Sequence, residues 1–297
     1  MNLRIHTTKI TLLGFAAAAV LGMTTSQALE LNKGDHVVLI GNALAERMQH
    51  HGWLESYAQA AMPDKELVFR NHGFGGDKVN NRPRNSGFPS ADAYLEISKA
   101  DVILAFWGYN ESFDNSPDAY RADLTKWIDE TNGKKYNDKG APTIVLFSPI
   151  AHENLGQANL PDGSANNERL AKYAEVTRQV ANEKGVEFVD LFDLSQDLNE
   201  RSKLPLTING IHLTSKGNNQ LARGIHKSLF GKSPRASGRK LARIRDAVLD
   251  KNWHWYNRYR ATDGNDVWGG RSGLRFVAGQ TNREVLQQEL KMIDVMT

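Results

Sequence analysis

The 297-residue sequence contains no cysteine. That absence excludes thiol nucleophiles, disulfide frameworks, thiolate zinc sites and iron–sulfur clusters, and any lipid attached through a cysteine. Charge of one sign is also scarce: 37 basic residues face 34 acidic ones, a formal net charge of +3. Arg4 and Lys9, two of the basic residues, precede an apolar run at residues 10–23, and the small residues Ser26 and Ala28 follow it. This is the pattern of a secretory signal peptide cleaved after Ala28. A run of that length falls short of the about 20 residues that span a bilayer. Without Arg4 and Lys9, 35 basic residues remain against 34 acidic ones, too even a balance to argue for a nucleic-acid partner. The expectation is an exported protein, periplasmic or extracellular, with no membrane span in the mature chain.

Internal repeats are lacking as well. What is present is an ordinary globular composition, 40% apolar and 24% charged, enough for one large domain or one domain with an appendage. Short apolar runs at residues 36–40, 66–70, 101–107, 143–147 and 186–189 close at or beside Gly, Asn, Pro or Asp. Such runs read as parallel strands buried on both faces. Helical patterns lie between them. Residues 167–184 place Leu170, Ala174, Thr177, Val180 and Ala181 on one face ahead of Gly185, and a second pattern after Thr214 carries Leu221, Ile225 and Leu229 before Gly231. Strands alternating with helices predict a parallel sheet covered on both faces, with chemistry at the carboxyl ends of its strands. After a polar linker at residues 233–238, a basic amphipathic helix is expected over 239–250. An aromatic stretch (252–260), a glycine-rich loop (261–273) and a helix (283–295) follow. The last pattern carries no stop signal, and the expectation is a piece of a longer chain.

Four loops stand out. They are Gly41-Asn42-Ala43-Leu44, then Asn71-His72-Gly73-Phe74-Gly75-Gly76-Asp77, then Gly108-Tyr109-Asn110-Glu111, then Asn209-Gly210-Ile211-His212. In this order and spacing they resemble the SGNH (GDSL-type) hydrolases, a family of esterases and lipases, over about residues 35–230. The resemblance implies an α/β fold with a flavodoxin-like parallel sheet sandwiched by helices. It also implies a division into a signal peptide (1–28), a hydrolase-like domain (29–232) and a basic, aromatic C-terminal extension (233–297). In the family a serine attacks the acyl carbon, a histidine takes its proton, and an aspartate three residues before the histidine orients the ring. Backbone N–H groups at the serine and a glycine, with an asparagine amide, hold the oxyanion. A weak nucleophile needs such a base, and the developing charge needs donors already in place. Carried over, Gly76, Asn110 and His212 match the oxyanion and base positions.

The sequence departs from that pattern where the chemistry is most exacting. Ala43 stands at the nucleophile position, Asn209 at the acid position and Asn42 at the first-block aspartate. In a serine protease triad the aspartate-to-asparagine change alone costs about 10⁴ in turnover. The remaining donors would suit an oxygen, a carboxylate, a sulfate or a sugar hydroxyl. Several other groups admit more than one reading. Glu111 is a base or a structural acid, and His152-Glu153 is a base, half a metal site or neither. Ser112 or Ser148 is a relocated nucleophile or a bystander, and His50-His51 is surface. Arg82 and Arg84 form an anion clamp or an exposed basic loop. The rings at 253–259 stack on a sugar, close as a lid, or pack the extension onto the sheet. Three functions follow: a hydrolase of acyl or carbohydrate esters, a non-catalytic carbohydrate- or ligand-binding module, or a hydrolase or lyase using activated water. The last lacks a carboxylate pair at a telling spacing. No cofactor and no metal is expected, and the ligand is a small molecule or carbohydrate ester.

Overall fold

The structure, a computed structural model, describes residues 28–84, 88–261 and 264–297. Except for Ala28, the expected signal peptide lies outside the described residues. Five strands form a parallel sheet: β1 (His36–Gly41), β2 (Val68–Asn71), β3 (Val102–Phe106), β4 (Thr143–Phe147) and β5 (Glu187–Val189), in the order β2-β1-β3-β4-β5. This is the flavodoxin-like order. The expected strands are all present, trimmed by a residue or two at some ends. Alternate residues supply the two faces. Val37, Leu39, Leu104, Phe106, Val145 and Phe147 belong to one apolar core, and Val38, Ile40, Ile103, Ala105, Ile144 and Leu146 to the other. Strands with both faces buried must be apolar without interruption, which is what made them readable.

The first core is closed by α1 (Ala43–His51), α2 (Trp53–Ala61) and α7 (Ser215–Phe230). The second is closed by α3 (Ala91–Ile97), α4 (Pro117–Asn132) and α5 (Ser164–Lys184). Helix α6 (Leu191–Arg201) follows β5. Helix α5 begins three residues before the expected start, after Gly163 in a left-handed conformation. Thr214 caps α7 by accepting the Gly217 N–H, as its position ahead of the apolar stripe predicts. Among the described residues no helix is long and apolar enough to cross a membrane.

The C-terminal region differs from expectation. The basic segment and the aromatic segment are one helix, α8 (Gly238–Arg260). All of its buried residues but His254, namely Leu241, Val248, Asn252, Trp255 and Tyr259, fall on a single stripe, so the change in composition at residue 252 is not a change in structure. The glycine-rich loop contains a short helix, α9 (Gly264–Val267), and leads into a hairpin of β6 (Arg275–Val277) and β7 (Gln280–Thr281). Helix α10 (Asn282–Met296) opens with a capping box between Thr281 and Glu284.

Helix α8 runs beside β2, the edge strand. In β2 the even-numbered residues face β1, since the N–H groups of Val68 and His72 donate to Asp35 O and Leu39 O. The carbonyls of Leu67, Phe69 and Asn71 therefore point outward, and each meets a side chain. Gln59 Nε2 donates to Leu67 O at 2.8 Å, Lys251 Nζ to Phe69 O at 3.0 Å and Trp255 Nε1 to Asn71 O at 2.8 Å. One turn on, Tyr259 donates to His72 O at 3.0 Å. Spacing of 251, 255 and 259 keeps these donors on one helix face. The same stripe packs His72 against Trp255 and Tyr259, with ring centroids 5.6 and 4.9 Å away, and Tyr94 edge-on. Trp255 and Tyr259 thus pack the extension onto the sheet, whereas Trp253 is exposed.

Candidate functional site

The turn from β1 into α1 creates the site. Gly41 has φ +131°, and a Cβ there would lie 2.3 Å from the Phe106 carbonyl oxygen, so a larger residue would push β1 away from β3. Asn42 then caps α1 by accepting the Leu44 N–H at 3.2 Å. Ala43 is consequently the first helical residue, presented at the carboxyl end of the sheet. It carries a methyl group and lines a small cavity that opens to solvent. The walls are mainly apolar, including Leu44, Phe106, Ile150 and Ile211, and His212, Arg47, Tyr109 and Asn218 add polar groups.

His212 arrives on a loop that is held from beneath. Glu153, buried, accepts the N–H groups of Leu206 and Thr207 and the Thr207 hydroxyl, at 2.6–3.1 Å. Thr207 Oγ1 in turn accepts the Gly210 N–H at 2.9 Å. Gly210 has φ +89°, and a Cβ on it would strike the His152 ring at 2.2 Å. His152-Glu153 therefore forms the seat of the His212 loop. Both carboxylate oxygens of Glu153 are occupied, and among the described residues no group of three or more His, Asp or Glu is placed to hold a metal ion.

The contact between Asn209 and His212 decides the ring's chemistry. Asn209 Oδ1 accepts the backbone N–H groups of Ile211 and His212, at 3.3 and 2.9 Å. That leaves Asn209 Nδ2 facing His212 Nδ1 at 3.0 Å, with Oδ1 at 3.2 Å. With its oxygen already engaged by two backbone N–H groups, the amide favours donation to Nδ1, which selects the tautomer with the ring proton on Nε2. Burial lowers the His212 pKa below the ordinary value, and the Arg47 charge adds to the effect while Glu46 opposes it. In that tautomer the uncharged His212 ring offers an N–H at Nε2 and has no lone pair there to accept a proton.

Gly76 and Asn110 are not among the residues that line the Ala43 cavity. They adjoin each other: Asn110 Nδ2 donates to the carbonyl of Asp77, next to Gly76, at 2.8 Å. Gly76 is exposed at φ +91°. Glu111 accepts the N–H groups of Val79 and Gly108, each at 2.9 Å, and ties these two loops together; burial raises its pKa. Neither serine is a free nucleophile. Ser148 Oγ donates to Asp190 and accepts the N–H groups of Leu191 and Phe192, and Ser112 Oγ donates to Tyr109 O. The expected exposed basic loop is corrected at Arg84, which is buried in a two-pronged pair with Asp77 at 2.9 Å and bonds Tyr259. Arg82 lies 3.6 Å from Asp92. Residues 85–87 of that loop lie outside the described residues. His50 is exposed and His51 half-buried.

Two polar lining residues, Arg47 and Asn218, lie outside the motifs. Arg47 stands one helical turn after Ala43, a spacing that puts both on one face of α1. Asn218 comes from α7, and nothing near it in sequence announces the contact.

Residues 40–220 match the model of the GDSL-like Lipase/Acylhydrolase family. The chain belongs to this family. Among solved structures, an acetylxylan esterase from Geobacillus stearothermophilus superposes with a TM-score of 0.54, at 18% identity, over 71% of this chain and 100% of that one. A serine-to-alanine catalytic mutant of the same enzyme gives 0.55 at 18% identity over the same shares. A gut microbial diltiazem-metabolizing enzyme gives 0.53 at 18% identity over 68% of this chain and 48% of that one. What these chains share with the present one is the SGNH hydrolase α/β fold. No curated protein sequence matches the chain.

Proposed function

We propose that this family member is exported and binds a small ester-like or carbohydrate-derived ligand in the Ala43 cavity without hydrolysing it. The carrying observation is the pairing in one cavity of a methyl group at the head of α1 with a histidine whose Nδ1 accepts from an amide. Acyl transfer by this family requires an oxygen nucleophile and a base with a free Nε2 lone pair. Ala43 supplies no oxygen, and Asn209 directs the proton to the wrong nitrogen. In the Geobacillus enzyme, variants at a serine, an aspartate and a histidine three positions after that aspartate are described as catalytic mutants. Asn209 and His212 repeat the last spacing with an amide in place of the acid, which supports the reading. The carbohydrate-ester ligand class draws its support from those esterase neighbours, and export from the N-terminal pattern.

The test is hydrolysis of p-nitrophenyl acetate. The expected rate for the native protein equals that of a heat-denatured control, and turnover above it overturns the reading. Ala43→Ser combined with Asn209→Asp restores the missing oxygen and the acceptor for Nδ1–H. Measurable esterase activity is expected from this pair and from neither single variant.

A further inference from the structure

The Ala43 cavity holds an uncompensated cation. Arg47 lines it, and among the described residues Arg47 makes no ion pair, while its Nε is buried without a hydrogen-bond partner. No Asp or Glu lines the cavity. The adjacent acid, Glu46, is engaged elsewhere: Oε1 pairs with Arg260 at 3.1 Å and Oε2 accepts the Gly75 N–H at 2.7 Å. A second donor is also unanswered. Asn218 is 2% exposed, lines the same cavity, and its Nδ2 has no partner. His212 adds Nε2–H, and Ala43 opens α1, so the positive end of that helix lies at the cavity too.

We propose that the cavity binds an organic monocarboxylate, its head on Arg47, Asn218 and His212 and its carbon body against Leu44, Ile150 and Ile211. A guanidinium fork matches the two oxygens of a carboxylate. Buried donors without partners are costly and are satisfied by an acceptor-rich ligand. Sulfate and phosphate fit less well, because mainly apolar walls cannot replace the hydration shell around the rest of such an anion. The assignment rests on the non-hydrolysing reading and sharpens it. A carboxylate is what ester cleavage leaves behind, so the site holds a product-type ligand and makes or breaks no bond.

The experiment titrates the full chain with sodium butyrate by calorimetry, with butyramide and methyl butyrate as uncharged counterparts and sodium sulfate as the inorganic anion. Saturable binding of butyrate is expected, at least tenfold tighter than any of the other three. Arg47→Gln is expected to weaken butyrate at least tenfold and Arg47→Lys to weaken it less. If Arg47→Gln does not fold, Ala43→Phe keeps the charge, fills the cavity and is expected to abolish binding. Equal affinity for butyrate and butyramide overturns the proposal, as does sulfate binding as tightly as butyrate, or unchanged butyrate affinity in a folded Arg47→Gln or Ala43→Phe variant. Methanol release is followed in the same methyl butyrate samples. Turnover there overturns the non-hydrolysing reading, whereas absent butyrate binding without turnover overturns the carboxylate assignment alone.

Discussion

At the scale of single residues, the direction of one hydrogen bond separates this site from that of an active relative. A carboxylate at position 209 would accept a hydrogen bond from Nδ1–H and leave Nε2 as a base; the Asn209 amide can donate a hydrogen bond to Nδ1 instead. The ring's electrostatic surroundings can be measured directly. His212 is expected to titrate below the ordinary value of about 6.5, first because it is buried and second because Arg47 is near. Arg47→Gln should raise the His212 pKa, and Asn209→Asp should raise it further by adding a negative charge. NMR titration of the ring carbon-bound protons reads both, and an unmoved pKa in Arg47→Gln would remove Arg47 from the field of the ring. Much of this site was legible in the sequence, since Ala43, Asn209 and His212 sit inside motifs. Arg47 was legible only through helical spacing. Asn218 was not, because α7 reaches the cavity by tertiary packing. Arg84 was misread for a related reason: its partner Asp77 and its cover Tyr259 lie in different segments, and a loop rich in Arg, Asn and Pro looks solvated on its own.

At the scale of elements, the strands declared themselves because burial on both faces forces unbroken apolar runs. The helices did so less evenly: within α8 the composition changes at residue 252 while the helix runs on. Its donors on the outer carbonyls of β2 could not be foreseen, since they depend on a helix lying along a particular edge. Their importance can be tested by comparing two tryptophans on that helix. Trp255 is buried and bonded to Asn71 O, and Trp253 is 64% exposed. In urea denaturation Trp255→Ala is expected to cost about 3–5 kcal/mol, and Trp253→Ala within about 0.5 kcal/mol. Similar losses for both would mean that the buried stripe does not hold α8 on the sheet.

At the scale of the whole molecule, histidines buried on several elements make stability depend on acidity. Burial lowers the pKa of His72 and His226, and His72, enclosed by Tyr94, Trp255 and Tyr259, is held down to about 3. Between about pH 6.5 and that value the unfolded chain takes up a proton at His72 that the folded chain refuses. Stability therefore falls as pH falls through this window, by about 1.4 kcal/mol per pH unit for His72. His72→Phe keeps the ring stack and removes the proton. Its slope of unfolding free energy against pH from 6 to 4 is expected to be shallower than that of the native protein by about one proton. An equal slope would exclude His72 as a source of acid lability.

The order in which the chain is made gives the α8 contact a further meaning. Lys251 lies 182 residues after Phe69, and Trp255 lies 184 after Asn71. At about 5–20 residues per second of synthesis, on the order of 10–40 s separate the two partners at the ribosome. Throughout that interval the outer carbonyls of β2 have no intramolecular cover from α8 and offer a template to any other extended strand. The hazard is therefore one of timing: the nascent chain carries an open sheet edge that the finished protein does not have.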